Sequence, residues 1–98
     1  MSKQSYLLYL GCRLATVEDD IRKARARLTN GDPRLRVHAA GQLAVLEHRQ
    51  ADLERKIAAV RAAADSRYAG LRTEIAEDLD AIAAEFDHLV TQGLTGRA

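Results

Sequence analysis

Thr29-Asn30-Gly31-Asp32-Pro33 is the one stretch of this chain that clearly ends one helix and begins another. Asn30 and Gly31 tolerate the left-handed backbone with which helices commonly stop. The Asp32 carboxylate can accept hydrogen bonds from the first free N–H groups of the next helix. Pro33 suits a first helical position, where its missing N–H costs nothing. An apolar-striped segment lies on each side, so a turn at Asn30, Gly31, Asp32 and Pro33 folds one helix back along another.

The stripe before the turn runs Leu7, Leu10, Leu14, Val17, Ile21, Ala24 and Leu28, at spacings of three and four. That is a heptad seam, and it predicts a helix over about 5–29 with Ser5 or Ser2 as its cap. Glu18 with Arg22, and Asp19 with Lys23, are i,i+4 pairs in the favourable order. After Pro33 the seam resumes as Ala39, Leu43, Leu46, Gln50, Leu53, Ile57, Val60 and Ala64. Gln50 is a polar residue at a seam position, a register device that costs some stability. A third run follows: Tyr68, Leu71, Ile75, Leu79, Ile82, Phe86 and Leu89. The four-residue steps from Ala64 to Tyr68 and from Ile75 to Leu79 unwind a supercoil locally without breaking a helix.

Two architectures are compatible with the join at 62–67. Asp65 or Ser66 could cap a third helix, giving an up-down-up three-helix bundle. The residues nevertheless read Ala62-Ala63-Ala64-Asp65-Ser66-Arg67, with no Gly or Pro where the chain would reverse. Alanine prolongs helices, so the sequence favours one helix from Pro33 to about Val90, on the order of 85–90 Å long. The expected fold is all-α: a single helical domain over residues 1–98, an antiparallel hairpin or coiled coil with a long second helix. The first helix, about 40 Å long, covers half of the second. Tyr68, Leu71, Ile75, Leu79, Ile82, Phe86 and Leu89 are then uncovered, and a stripe of that length calls for a partner. Oligomerisation into a helical bundle, as a homodimer or larger, follows. On that reading Ile75→Asp with Ile82→Asp leaves a soluble, less associated chain. The tail after Thr91, with Gly93 and Gly96, reads as frayed.

Composition agrees with long helices: 47% of residues are apolar, but only 4% are aromatic and much of the remainder is alanine. The near-neutral total hides a polarity. Residues 1–49 hold nine Lys/Arg against five Asp/Glu, whereas residues 50–98 hold six against nine. Glu74, Glu77, Asp78, Asp80, Glu85 and Asp87 form an acidic run. Arg22, Lys23, Arg25, Arg27, Arg34 and Arg36 form a basic one. Such a rod can orient a helical partner, either itself or another helical protein. The basic 22–36 segment could touch an anionic surface weakly. It lacks the aromatic interleaving of a single-strand binder, and the chain lacks the strongly basic face of a nucleic-acid reader. The narrow alanine-rich seams also argue against a membrane-surface helix. Cys12 is the only cysteine, so no intramolecular disulfide forms. The polar N-terminus and the lack of a long apolar run point to a cytoplasmic protein.

Chemistry is sparsely represented. Glu85 and His88 form the Glu-x-x-His pair that di-iron bundles use, so a metal- or redox-handling bundle sharing Glu85 and His88 across a dimer is the alternative. Phe86 and Leu89 hold the core positions, however, and Glu85 and His88 flank them. His38 and His48 have no ligand spacing with each other or with His88, and Cys12 has only Arg13 nearby to activate it. No nucleophile triad or phosphate-binding glycine loop is present. The expectation is a non-enzymatic, self-associating scaffold or protein-interaction module with no cofactor.

Tyr6, Leu10 and Leu14 open the chain in the form Tyr-x-x-x-Leu-x-x-x-Leu, and Leu43 to Val60 form a heptad arm. Ala64-Asp65-Ser66-Arg67-Tyr68-Ala69-Gly70-Leu71 and the acidic end Ala83-Ala84-Glu85-Phe86 follow. In this order the segments resemble a loose family of small bacterial coiled-coil proteins, many described as stress-response or hypothetical proteins. Tyr68 stands where that family tends to carry Trp. The resemblance implies a non-enzymatic helical protein linked to stress adaptation.

Overall fold

The structure, a computed structural model, describes residues 2–29, 33–64 and 67–91. They form three helices and, among the described residues, no strand: α1 (Lys3–Thr29), α2 (Pro33–Ala62) and α3 (Tyr68–Thr91). Asn30, Gly31, Asp32, Asp65, Ser66 and the tail from 92 lie outside the described residues; Pro33 is the first residue of α2.

Ser2 caps α1. Its Oγ accepts a hydrogen bond from the Ser5 N–H at 3.1 Å, and its carbonyl accepts from the Tyr6 N–H at 2.9 Å. Of the two expected caps, Ser2 is the one used. A cap of this kind contributes about 1 kcal/mol. Ser2→Ala is expected to lower the unfolding free energy by that amount, measured by urea titration, with Gln4→Ala as an exposed control.

The periodicity is realised in all three helices, and one core takes in side chains from each. Leu10, Leu46, Leu53, Ile75 and Val60 are fully enclosed, with Val17, Ile21, Ala24, Leu43, Ile57, Leu79, Ile82 and Leu89 packed around them. Gln50 is half-buried in the seam. The buried face of α1 is wider than a two-helix seam. Tyr6 is buried while Leu7, Leu14 and Leu28 are only half-buried. A helix that meets two neighbours needs a broader apolar face than one that meets a single partner.

The long second helix is corrected by the structure. α2 ends at Ala62, and α3 starts at Tyr68. The Ala63 N–H still donates to the Ala59 and Val60 carbonyls, at 2.9 and 3.2 Å, and the Arg67 N–H donates to the Ala64 carbonyl at 2.9 Å. Ala64, expected in the seam, is exposed. The reversal needs no Gly or Pro because burial outweighs local propensity. Fully burying Ile75, Leu79, Ile82 and Leu89 is worth roughly 8 kcal/mol. Breaking a few helical hydrogen bonds costs about 1 kcal/mol each. The stripe expected to be left bare is therefore covered by its own chain.

The Lys3 ammonium reaches the Ala63 carbonyl, and Lys56 lies 4.0 Å from Glu74 and 2.9 Å from Asp78. α1 and α3 both run antiparallel to α2 and hence parallel to each other. Each packs along α2 more extensively than on the other. The result is a rod of 49 × 18 × 17 Å with a radius of gyration of 15.3 Å.

Candidate functional site

Because α1 and α3 share α2 as their main support, a groove runs between them. Its floor is Val17 of α1 with Leu79 and Ile82 of α3, and half-buried Phe86 rises along one side. Arg13, Thr16 and Asp20 form the α1 wall, and Ala83 and Asp87 the α3 wall. The space is about 290 Å³, open along its length and lined by an apolar floor with charged rims.

One end of the α1–α3 contact is shut by aromatic rings. Tyr6 stacks on Tyr9 with centroids 6.2 Å apart, and meets Tyr68 at 6.0 Å. The Arg72 guanidinium lies 5.0 Å from the Tyr6 ring centre, a cation–π arrangement that ties α3 to α1. Burial raises the Tyr6 hydroxyl above its ordinary pKa, and Arg72 offsets part of that rise. The groove opens on α1 a turn or two further along, past Tyr9 (44% exposed). Leu8 is 71% exposed on the same turn.

The residues singled out from sequence are dispersed. Of the expected self-association stripe, Ile75, Leu79, Ile82 and Leu89 are core, and Tyr68, Leu71 and Phe86 pack against it. Tyr68, Leu71 and Phe86 are half-buried, with Phe86 at the α1–α3 groove. Glu85 is half-buried and His88 exposed on α3. Among the described residues no three His, Cys, Asp or Glu side chains converge as a metal site. Cys12 is exposed on α1.

Part of the basic run is engaged by acids of this chain. Arg22 and Lys23 both bind Asp19, at 3.1 and 3.0 Å, and Arg25 pairs with Glu47. Lys23 foremost, and then Arg22, hold the Asp19 carboxyl below its usual pKa. The side chain of Arg34 lies outside the described residues. His48 stands 3.7 Å from Asp52, which also takes Arg55. No described helix is long and apolar enough to cross a membrane.

The groove walls were not legible in the sequence. Arg13, Thr16 and Asp20 lie off the α1 seam, and nothing in their spacing announces that α3 runs beside them. Comparison with family models, curated proteins and solved structures finds no match for this chain.

Proposed function

We propose that this protein is a non-enzymatic protein-interaction module that seats an amphipathic helix of another chain in the α1–α3 groove. The observation that carries the reading is the groove itself. Two parallel helices flank a small apolar recess in which Val17, Leu79 and Ile82 are almost wholly buried and half-buried Phe86 offers the apolar contact area. A third helix laid between them would bury its own apolar stripe there, the helix-in-groove mode of recognition.

Charge selects the guest. Asp20 and Asp87 line the recess on its two sides, together with Arg13. A helix with Lys or Arg flanking its apolar stripe complements this face, and an acidic one is repelled.

The test uses two labelled helical peptides of the same leucine spacing, one filled with Lys and one with Glu. Fluorescence anisotropy is expected to show saturable binding of the Lys peptide and much weaker binding of the Glu peptide. Ala83→Arg places bulk and positive charge on the groove wall at an exposed position. It is expected to weaken the Lys peptide about tenfold, equivalent to ~1.4 kcal/mol. Equal binding of both peptides, or no effect of Ala83→Arg, would rule out the groove as the docking site.

A further inference from the structure

We infer that a second copy of this chain covers the α1–α3 groove, the two α1 helices crossing antiparallel about a twofold axis beside Thr16 and Val17. The inference rests on the reading of this groove as a docking surface and names an occupant for it.

The α1 wall of the groove is symmetric in position and opposite in charge. Its residues are Arg13, Thr16, Val17 and Asp20. Arg13 and Asp20 are equally distant from the midpoint between Thr16 and Val17, and about 10 Å apart along the helix. That is too far for one to neutralise the other. Among the described residues, neither makes an ion pair or a side-chain hydrogen bond. The cations nearest to Asp20 along the helix, Arg22 and Lys23, are taken by Asp19. Asp20 is nevertheless half-buried, so its carboxylate has given up water without gaining a cation.

A second α1 laid antiparallel, with the twofold axis through that midpoint, supplies what is missing. Arg13 of each copy then lies opposite the partner's Asp20, and the ion pair forms twice. Asp87 lines the other side of the same recess, so the incoming guanidinium meets two carboxylates. A parallel crossing would set Arg13 against Arg13 and Asp20 against Asp20. Charge therefore fixes the direction of the partner as well as its identity.

The centre of the contact is ready to be covered. The Thr16 hydroxyl already donates to the Cys12 carbonyl at 3.1 Å, so burying this exposed side chain strands no polar group. On the α3 wall, Ala83 is small and exposed and leaves room for the partner's helix. Half-buried Phe86 gains apolar cover there. The face is short, about two turns of helix. The dimer therefore belongs with the transient associations that bury less than about 1,200 Å², and its population depends on protein concentration. A groove covered in this way is closed to a guest helix, so guest and second copy compete.

The experiment measures the mass of the full chain by sedimentation equilibrium, at concentrations rising to millimolar. Arg13→Glu sets a carboxylate against the partner's Asp20, and Asp20→Arg sets a guanidinium against the partner's Arg13. Each fault occurs twice across the axis, so each variant is expected to dimerise about a hundredfold more weakly than the parent. An equimolar mixture of the two variants is expected to regain the dimer, because both contacts are then complementary. Arg13→Glu with Asp20→Arg in one chain is expected to regain it too. Circular dichroism is expected to show the parent's helicity throughout, since the fold uses neither side chain. Glu54→Arg reverses a charge at an exposed position on α2 and is expected to leave dimerisation unchanged.

Oxidation locates the axis. In a Cys12→Ser background, Thr16→Cys lies beside the axis and is expected to form a covalent dimer. Leu8→Cys, about 25 Å from its counterpart along the helices, is not. A parent that stays monomeric at millimolar concentration yet binds the Lys peptide overturns the second copy as occupant and leaves the groove to other helices. A parent that does neither overturns both readings. A dimer indifferent to Arg13→Glu and Asp20→Arg, or a mixture of the two that stays monomeric, overturns the proposal. A dimer that follows the charge cycle and ignores the Lys peptide upholds the second copy and removes the free helix as guest.

Discussion

Ile75→Asp is expected to abolish cooperative folding. Ile75 has no exposed surface and lies in the middle of the shared core. Removing its side chain forfeits about 2–3 kcal/mol of burial. The carboxylate put in its place has no cation among the core residues, and burying a polar group without a partner costs several kcal/mol more. A domain of this size is stable by only about 5–15 kcal/mol, so the variant sits at or below the threshold. Circular dichroism is expected to show reduced helicity and no sharp thermal transition. Val37→Asp, at a position 81% exposed, is expected to melt within a few degrees of the parent. A folded, cooperatively melting Ile75→Asp would show that α3 is not held as described.

Replacing Gly11 and Gly41 together by alanine is expected to raise the melting temperature by about 10 °C. Both glycines lie inside helices, and a Cβ built at either meets nothing within 4 Å. Glycine in a helix interior costs about 0.8–1 kcal/mol relative to alanine, through the backbone freedom it retains when unfolded. The two substitutions act on separate helices and should add. Their sum is about 1.5–2 kcal/mol, at roughly 4–8 °C per kcal/mol for a chain this short. Calorimetry on the parent, the single variants and the double variant checks it. A fall in melting temperature would show that one of these positions needs the bare backbone for a contact not visible in the isolated chain.

The difference between the hairpin first expected and the bundle observed lies in a few residues. Ala62, Ala63 and Ala64 report faithfully on local preference, and that preference is helical. The chain turns there because Ile75, Leu79, Ile82 and Leu89 gain more by reaching Leu46, Leu53 and Val60 than the elbow loses by leaving the helix. At the N-terminal end of α1, beside the same reversal, Tyr6 takes the buried place assigned to Leu7 because Tyr68 and Arg72 of α3 stand beside it. The groove has the same origin. Phe86 belongs to a recognisable stripe, but Arg13, Thr16 and Asp20 become its neighbours only once α1 and α3 lie parallel on α2.

The all-helical class, the extent of α1, the start of α2 at Pro33 and the apolar stripe of each helix follow from the amino-acid sequence alone. Those features depend on residues three and four apart, which meet as soon as a helix forms. The reversal after Ala62, the burial of the third stripe and the existence of the α1–α3 groove arise only in the folded bundle. Each is a contest between local helix propensity and the burial available from residues far away in the chain. Burial prevails in that contest, and the partners that supply it come together only when all three helices are in place.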